Sequence, residues 1–203
     1  MNSGRVALTF DAEHPSRPHC APGVVDLLLD ALARSATPAT FFVQGRWATA
    51  YPATARRVAD AGHLIGNHSN HHAPLPFLSD EGIRCDVGEA EDRIRMTTGV
   101  DPRPWFRCPF GRGADDPRVL SALQALGYRH IGWNVDPADW EEAKPAPDVE
   151  REVFDSVTGH GDGAIVLLHT WPETTARALP GMVARIRDRG FDFVTVDQVS
   201  DER

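Results

Sequence analysis

The run Val6-Ala7-Leu8-Thr9-Phe10 passes directly into Asp11-Ala12-Glu13-His14, so a short apolar, strand-forming segment ends in a group of ionisable side chains. In a barrel of parallel strands, reactive groups sit just past the C-terminal strand ends. Working outward from this segment, further β-branched or aromatic runs read as strands at Thr40–Val43, His63–Gly66, Trp105–Arg107, His130–Trp133, Ile165–His169 and Phe191–Val194. Amphipathic stretches between them predict helices over Pro22–Arg34, Pro52–Ala61, Ser79–Thr97, Pro117–Leu126, Asp148–Val157 and Thr174–Arg189. Asp116, Ser79 and Thr174 are placed as start signals for three of them, and Gly62, Gly99, Gly127 and Gly190 as helix stops. This alternation predicts an α/β fold with about seven mostly parallel strands, either a distorted or incomplete (β/α) barrel or an open doubly wound sheet. Periodicity alone does not separate the two. With 203 residues, no internal repeat and no linker, one domain over 1–203 is expected.

The charge balance is 21 basic against 29 acidic residues, a net −8, which repels phosphate backbones and anionic lipid at long range. Neither a nucleic-acid nor a membrane partner is expected, and the oligomeric state is left open. The apolar run Ala164-Ile-Val-Leu-Leu168 is far too short to span a bilayer. Residues 1–13 lack the basic and then apolar pattern of a secretory signal, so a cytoplasmic setting is expected unless an export segment has been removed. Cys20, Cys85 and Cys108 have no C-x-x-C spacing, which suggests neither a disulfide scaffold nor a cysteine zinc site; a single bridge is allowed but not required.

Polar residues collect after the strands in a coherent way. His68 and His72 are spaced i, i+4, so on one helical turn both imidazoles would face one metal ion, with a His-rich polar loop as the plainer alternative and His71 pointing away. Asp11 at a strand end is a candidate base or ligand, or else simply the start of a turn; Glu13, two residues on, returns to the same side if the backbone stays extended. Two histidines and a carboxylate leave coordination positions for water, whose pKa a metal lowers toward neutrality. His169 closes an apolar strand, a position suited to a general acid or to a buried structural histidine. Arg107 follows Trp105-Phe106 and requires a carboxylate partner, with Asp11 and Asp139 as candidates.

In this order, the segments resemble the polysaccharide deacetylases of the NodB-homology group, carbohydrate esterase family 4. The resemblance rests on Thr9-Phe10-Asp11, His68-Ser-x-x-His72, Arg107-x-Pro-Phe-Gly111, Asp136-x-x-Asp139-Trp140 and Ile165-Val-Leu-Leu-His169, and so covers most of the chain. It implies a distorted (β/α) barrel and metal-dependent hydrolysis of an N- or O-linked acetyl group on a sugar. It also implies roles: Asp11 as general base, His68 and His72 as metal ligands, and His169 as the acid that protonates the leaving amine. Arg107 would orient Asp11, Asp139 would keep His169 cationic, the backbone N–H of Phe110 would hold an oxyanion, and Trp140 and Leu167 would wall the acetyl pocket. The ion implied is Zn²⁺, with Co²⁺, Ni²⁺ or Mn²⁺ also compatible with such a ligand set.

The usual first motif of the group has two adjacent aspartates, the second a metal ligand, and Ala12 stands at that second position here. Glu13 is the expected replacement ligand, ahead of His14. Thr170 and the Phe110 side chain also depart from the frequent pattern, and are expected to alter substrate contacts without removing the chemistry. Two other functions compete. One is a related amidohydrolase acting on a cyclic amide or N-formyl group, with or without a metal. The other is a silent carbohydrate-binding module using Trp47, Trp140 and Trp171 as sugar platforms. The expected substrate is an acetylated sugar such as a chito-oligosaccharide, a peptidoglycan fragment or a small amino-sugar compound.

Overall fold

The computed structural model describes residues 4–14 and 23–200. Among them seven parallel strands form one curled sheet: β1 (Gly4–Ala12), β2 (Thr40–Val43), β3 (Leu64–Asn67), β4 (Trp105–Phe106), β5 (Arg129–His130), β6 (Ala164–His169) and β7 (Phe191–Val194). The order is β5-β4-β3-β2-β1-β6, with β7 on the N-terminal half of β1. Among the described residues eight α-helices cover it: α1 (Val24–Arg34), α2 (Gly45–Ala50), α3 (Pro52–Asp60), α4 (Asp80–Thr98), α5 (Pro117–Ala125), α6 (Ala146–His160), α7 (Glu173–Asp188) and α8 (Val196–Ser200). The incomplete barrel is therefore the architecture, and the open doubly wound alternative falls away. Among the described residues no helix is long and apolar enough to cross a membrane.

The barrel is incomplete between β5 and β6, the two ends of the strand order. The run expected as strand His130–Trp133 pairs only at Arg129–His130, since the Ile131 and Gly132 carbonyls turn inward to accept from the Arg107 guanidinium at 3.2 and 3.1 Å. The chain then crosses to the far edge, where Val135 makes a single parallel bridge to Val166 of β6. The Trp105–Arg107 strand likewise ends at Phe106.

Strand β1 is central, and the period of two along it separates the two kinds of surface. Val6, Leu8, Phe10 and Ala12 belong to the apolar layer shared with α1, α6 and α7, whereas Ala7 joins Phe42, Trp105 and Ile131 inside the barrel above α8. Thr9, Asp11 and Glu13 follow Ala7 along the inner face. Gly66 allows this interior to close, because a Cβ there would lie 2.7 Å from the Phe42 ring.

Ala12 therefore points into hydrocarbon, away from the inner face. Replacing it with Asp is expected to bury an unpaired carboxylate and to destabilise the fold by about 2–5 kcal/mol in urea denaturation, with no gain in metal affinity. A stable Ala12→Asp variant that binds metal more tightly would contradict this reading of the strand.

The caps bear out two of the three start signals. Asp116 accepts from the Arg118 and Val119 N–H groups, and Ser79 from Gly82 N–H. Thr174 is not a cap: α7 starts earlier, after Pro172, and the Thr174 hydroxyl instead donates to the Lys144 carbonyl at 2.9 Å. All four stop glycines have positive φ. Pro22 and Cys20 lie outside the described residues, while Cys85 and Cys108 are free.

Candidate active site

The C-terminal ends of β1, β3 and β6, with the segments after β4 and β5, converge on a cleft of about 380 Å³ lined by Asp11, Glu13, His72, Leu167 and His169, among others. Its floor is set by strand register, which pairs Asp11 with both Phe42 of β2 and His169 of β6.

Arg107 is fully buried below the cleft. Its guanidinium donates to Asp11 Oδ1 at 2.9 Å and to Thr9 Oγ1 at 2.8 Å, and lies 4.2 Å from the Phe42 ring centroid. Of the two carboxylates expected as its partner, Asp11 fills the role. With Oδ1 fixed in this way, Asp11 presents Oδ2 to His68 Nε2 at 3.4 Å.

Glu13, His68 and His72 are all buried, with one donor atom of each within 4.8 Å of the others. His68 Nδ1 lies 2.9 Å from the Arg107 carbonyl, which can only accept, so this nitrogen carries the proton and Nε2 faces the cluster. The two Nε2 atoms are 3.0 Å apart, His68 Nε2 is 3.4 Å from Glu13 Oε2, and His72 Nε2 is in direct contact with the same carboxylate oxygen. Two imidazole lone pairs and a carboxylate facing one another at this separation require a proton or a cation between them. The spacing and the N, N, O donor set fit a divalent ion with ligand bonds of about 2.0–2.2 Å.

Burial works against the charge on Glu13, but hydrogen bonds from His14, His68 and His72 outweigh it and hold the carboxyl well below its usual range. It is therefore ionised at neutral pH. Burial also lowers His72, with neighbouring His68 and His14 adding to the effect against Glu13; at His68 the Asp11 and Glu13 carboxylates overcome burial and raise it.

The spacing argument for His68 and His72 succeeds by a different geometry from the one expected. Residues 68–72 are an irregular loop, not a helical turn, with Ser69 and His72 at φ of 63° and 58°. Asn67 Oδ1 accepts from Ser69 N–H at 2.8 Å, and Ser69 Oγ accepts from His72 N–H at 3.0 Å. His71 turns outward toward Glu89, as expected.

On the other side of the cleft His169 donates from Nδ1 to Asp139 Oδ1 at 2.7 Å. Asp139 Oδ2 accepts from His169 N–H at 2.8 Å and from the Thr175 hydroxyl at 2.6 Å. Burial opposes the imidazolium, yet the Asp139 charge and hydrogen bond, with Glu13 and Asp11 nearby, push His169 up to about 9. Its free Nε2 lies 3.9 Å from Glu13 Oε1, so the protonated ring aims an N–H into the cleft.

Phe110, at φ 57°, places its ring 4.4 Å from that of His72, and Trp140, 48% exposed, lines the same cleft with Leu167. Of the tryptophans considered as exposed platforms, only Trp140 is exposed. Trp47 is packed into the core through α2, and Trp171 is buried with its Nε1 3.4 Å from Glu13 Oε1. Thr170 does not line the cleft; it is fully buried, and its N–H donates to the Asp11 carbonyl at 3.2 Å. Thr175 and Trp133 complete the site and carry no motif, while Thr9 and Asp136 belong to the first and fourth motif segments but have no role assigned from the sequence.

The site thus has the form of a hydrolase centre, with two charged pairs flanking a cluster suited to a cation at the mouth of an incomplete barrel. Comparison with known proteins agrees: the polysaccharide deacetylase family profile matches residues 1–131, and the chain belongs to that family. It is 34% identical over 199 residues to the peptidoglycan-N-acetylglucosamine deacetylase of Listeria monocytogenes, covering 98% of this chain but 39% of that protein. It is 32% identical over 169 residues to the chitooligosaccharide deacetylase of Azorhizobium caulinodans, covering 83% of this chain and 75% of the relative. Among solved structures, a family 4 carbohydrate esterase pseudoenzyme from Bacillus anthracis superposes with a TM-score of 0.87 at 26% identity, covering 99% of this chain and 66% of that one. Named relatives thus include hydrolases of carbon–nitrogen bonds and a protein described as a pseudoenzyme.

Proposed function

We propose that this chain hydrolyses the N-acetyl group of an N-acetylglucosamine unit in an oligosaccharide or glycan fragment, with a divalent ion held by Glu13, His68 and His72. The observation that carries this reading is the placement of Asp11 with Arg107 and of His169 with Asp139 about one cluster in one cleft. Zn²⁺ is the ion favoured by two imidazoles and a carboxylate, and when bound it supplies Lewis acidity toward the amide carbonyl and lowers the pKa of water. Asp11 serves as the base. Arg107 occupies Oδ1 and so leaves Oδ2 to take the proton of the attacking water. His169, held cationic by Asp139, donates its Nε2 proton to the departing amine, which would otherwise leave as a poor anion. The Phe110 backbone N–H would contribute to the oxyanion site, and Trp140 and Leu167 would bound the methyl pocket. The sugar assignment draws on the names of the Listeria and Azorhizobium relatives.

A silent scaffold is the second reading, favoured by the likeness to the Bacillus anthracis pseudoenzyme. Acetate release from N-acetylglucosamine oligomers separates the two readings. Wild type is expected to release acetate, and Asp11→Asn is expected to be slower by about 10²–10⁴-fold. Glycan binding by wild type without acetate release would select the silent scaffold, and release of formate or opening of a cyclic amide would select the related amidohydrolase.

A further inference from the structure

The loop that carries the two histidines is backed by a buried acid that the chemistry above does not use. Asp86 lies on α4, is 6% exposed, and accepts at Oδ2 from Asn70 N–H at 3.2 Å and at Oδ1 from His71 N–H at 3.0 Å. Among the described residues no Lys, Arg or His pairs with it, so these two consecutive backbone donors are what offset its burial. The two N–H groups lie between His68 and His72, and the flanking Ser69 and His72 both adopt left-handed backbone that non-glycine residues rarely hold unsupported. The same helix fixes the loop elsewhere: Asn67 Nδ2 donates to the Val87 carbonyl at 3.0 Å and Asn70 Nδ2 to Glu89 Oε2 at 2.7 Å.

We infer that Asp86 is a positioning residue that holds the 68–72 loop in the one conformation that turns both His68 and His72 Nε2 atoms onto Glu13; the inference rests on the reading of that cluster as a cation site. It acts through the backbone and touches neither the ion nor the substrate.

Asp86→Asn keeps the shape and replaces one acceptor oxygen by a donor, which can no longer take the second N–H. The test compares Zn²⁺ titration of chelator-stripped wild type and variant with amide hydrogen exchange in both metal-free proteins; Asp86→Ser serves if the Asn variant fails to fold. The expected result is Zn²⁺ affinity weakened by about 10–100-fold. Exchange at residues 69–72 should quicken by about tenfold or more while β1 and β6 stay protected as in wild type. Unchanged affinity and unchanged exchange would overturn the inference, and so would acceleration spread evenly over the chain, which marks a general structural role. Should wild type take up no Zn²⁺, the cation reading fails by itself, and local exchange alone decides whether Asp86 holds the loop.

Discussion

Asp139→Asn is expected to lower kcat by about 10²–10⁴-fold, the range associated with losing a positioned general acid. The carboxylate does two things that the amide cannot. Its charge and hydrogen bond hold the His169 imidazolium, raised to about 9 although burial alone would lower it, and its second oxygen accepts from both His169 N–H and Thr175 Oγ1. An amide at 139 offers one acceptor and no charge, so His169 gives up its proton at lower pH than in wild type and the leaving amine loses its proton donor there. The check is a pH–rate profile: wild type loses activity on an alkaline limb as His169 deprotonates, and the variant loses it at lower pH. Stability follows the same direction. Because the folded-state value is raised from the ordinary 6.5 to about 9, the contribution of the pair is fully present below about 6.5 and is lost as pH rises through about 9. Urea denaturation of wild type should show this loss across that window, and Asp139→Asn should not. Equal pH dependence in the two proteins would contradict the assignment.

Arg107→Met carries the largest expected cost in stability, about 3–5 kcal/mol, because it leaves a buried carboxylate without its cation. The guanidinium connects three parts of the barrel, donating to Asp11 and Thr9 of β1 and to the Ile131 and Gly132 carbonyls that leave β5. Methionine fills the volume but strands those acceptors. Lysine should not restore stability, since one ammonium cannot span the separate acceptors that the planar guanidinium reaches. Chemical denaturation measures the effect, and a cost below about 1 kcal/mol would mean that Arg107 is not the support described here.

Local signals made much of this structure legible in the sequence. The run into Asp11 identified the central strand, the stop glycines marked four helix ends, and the alternation of strand and helix gave the parallel sheet. Asp11, Glu13, His68, His72, Arg107 and His169 stand out in the sequence by their places at or just past strand ends, and the structure gathers them around one cleft, with His68, Arg107 and Asp139 in the layer beneath. What escaped depends on distant partners. The strand expected to run to Trp133 ends early because Arg107, more than twenty residues back, draws its carbonyls inward. Trp47 looked like a surface aromatic because α2, only six residues long, has too short a pattern to reveal its buried side. The histidine loop takes its shape from left-handed residues that are not glycine, held by Asp86 some fifteen residues away, and no local rule anticipates that. Thr175 and Thr9 carry ordinary hydroxyls whose importance comes only from the charged groups beside them.

Titration of chelator-stripped protein with Zn²⁺, run on wild type and on Glu13→Ala in parallel, tests the central claim most directly, because it requires no choice of substrate. Glu13 supplies the carboxylate of the cluster while Ala12 faces hydrocarbon. The expected result is tight one-to-one binding by wild type and an affinity at least about tenfold weaker in the variant. A wild type that binds no ion, or a Glu13→Ala variant that binds as tightly, would contradict a metal site completed by Glu13.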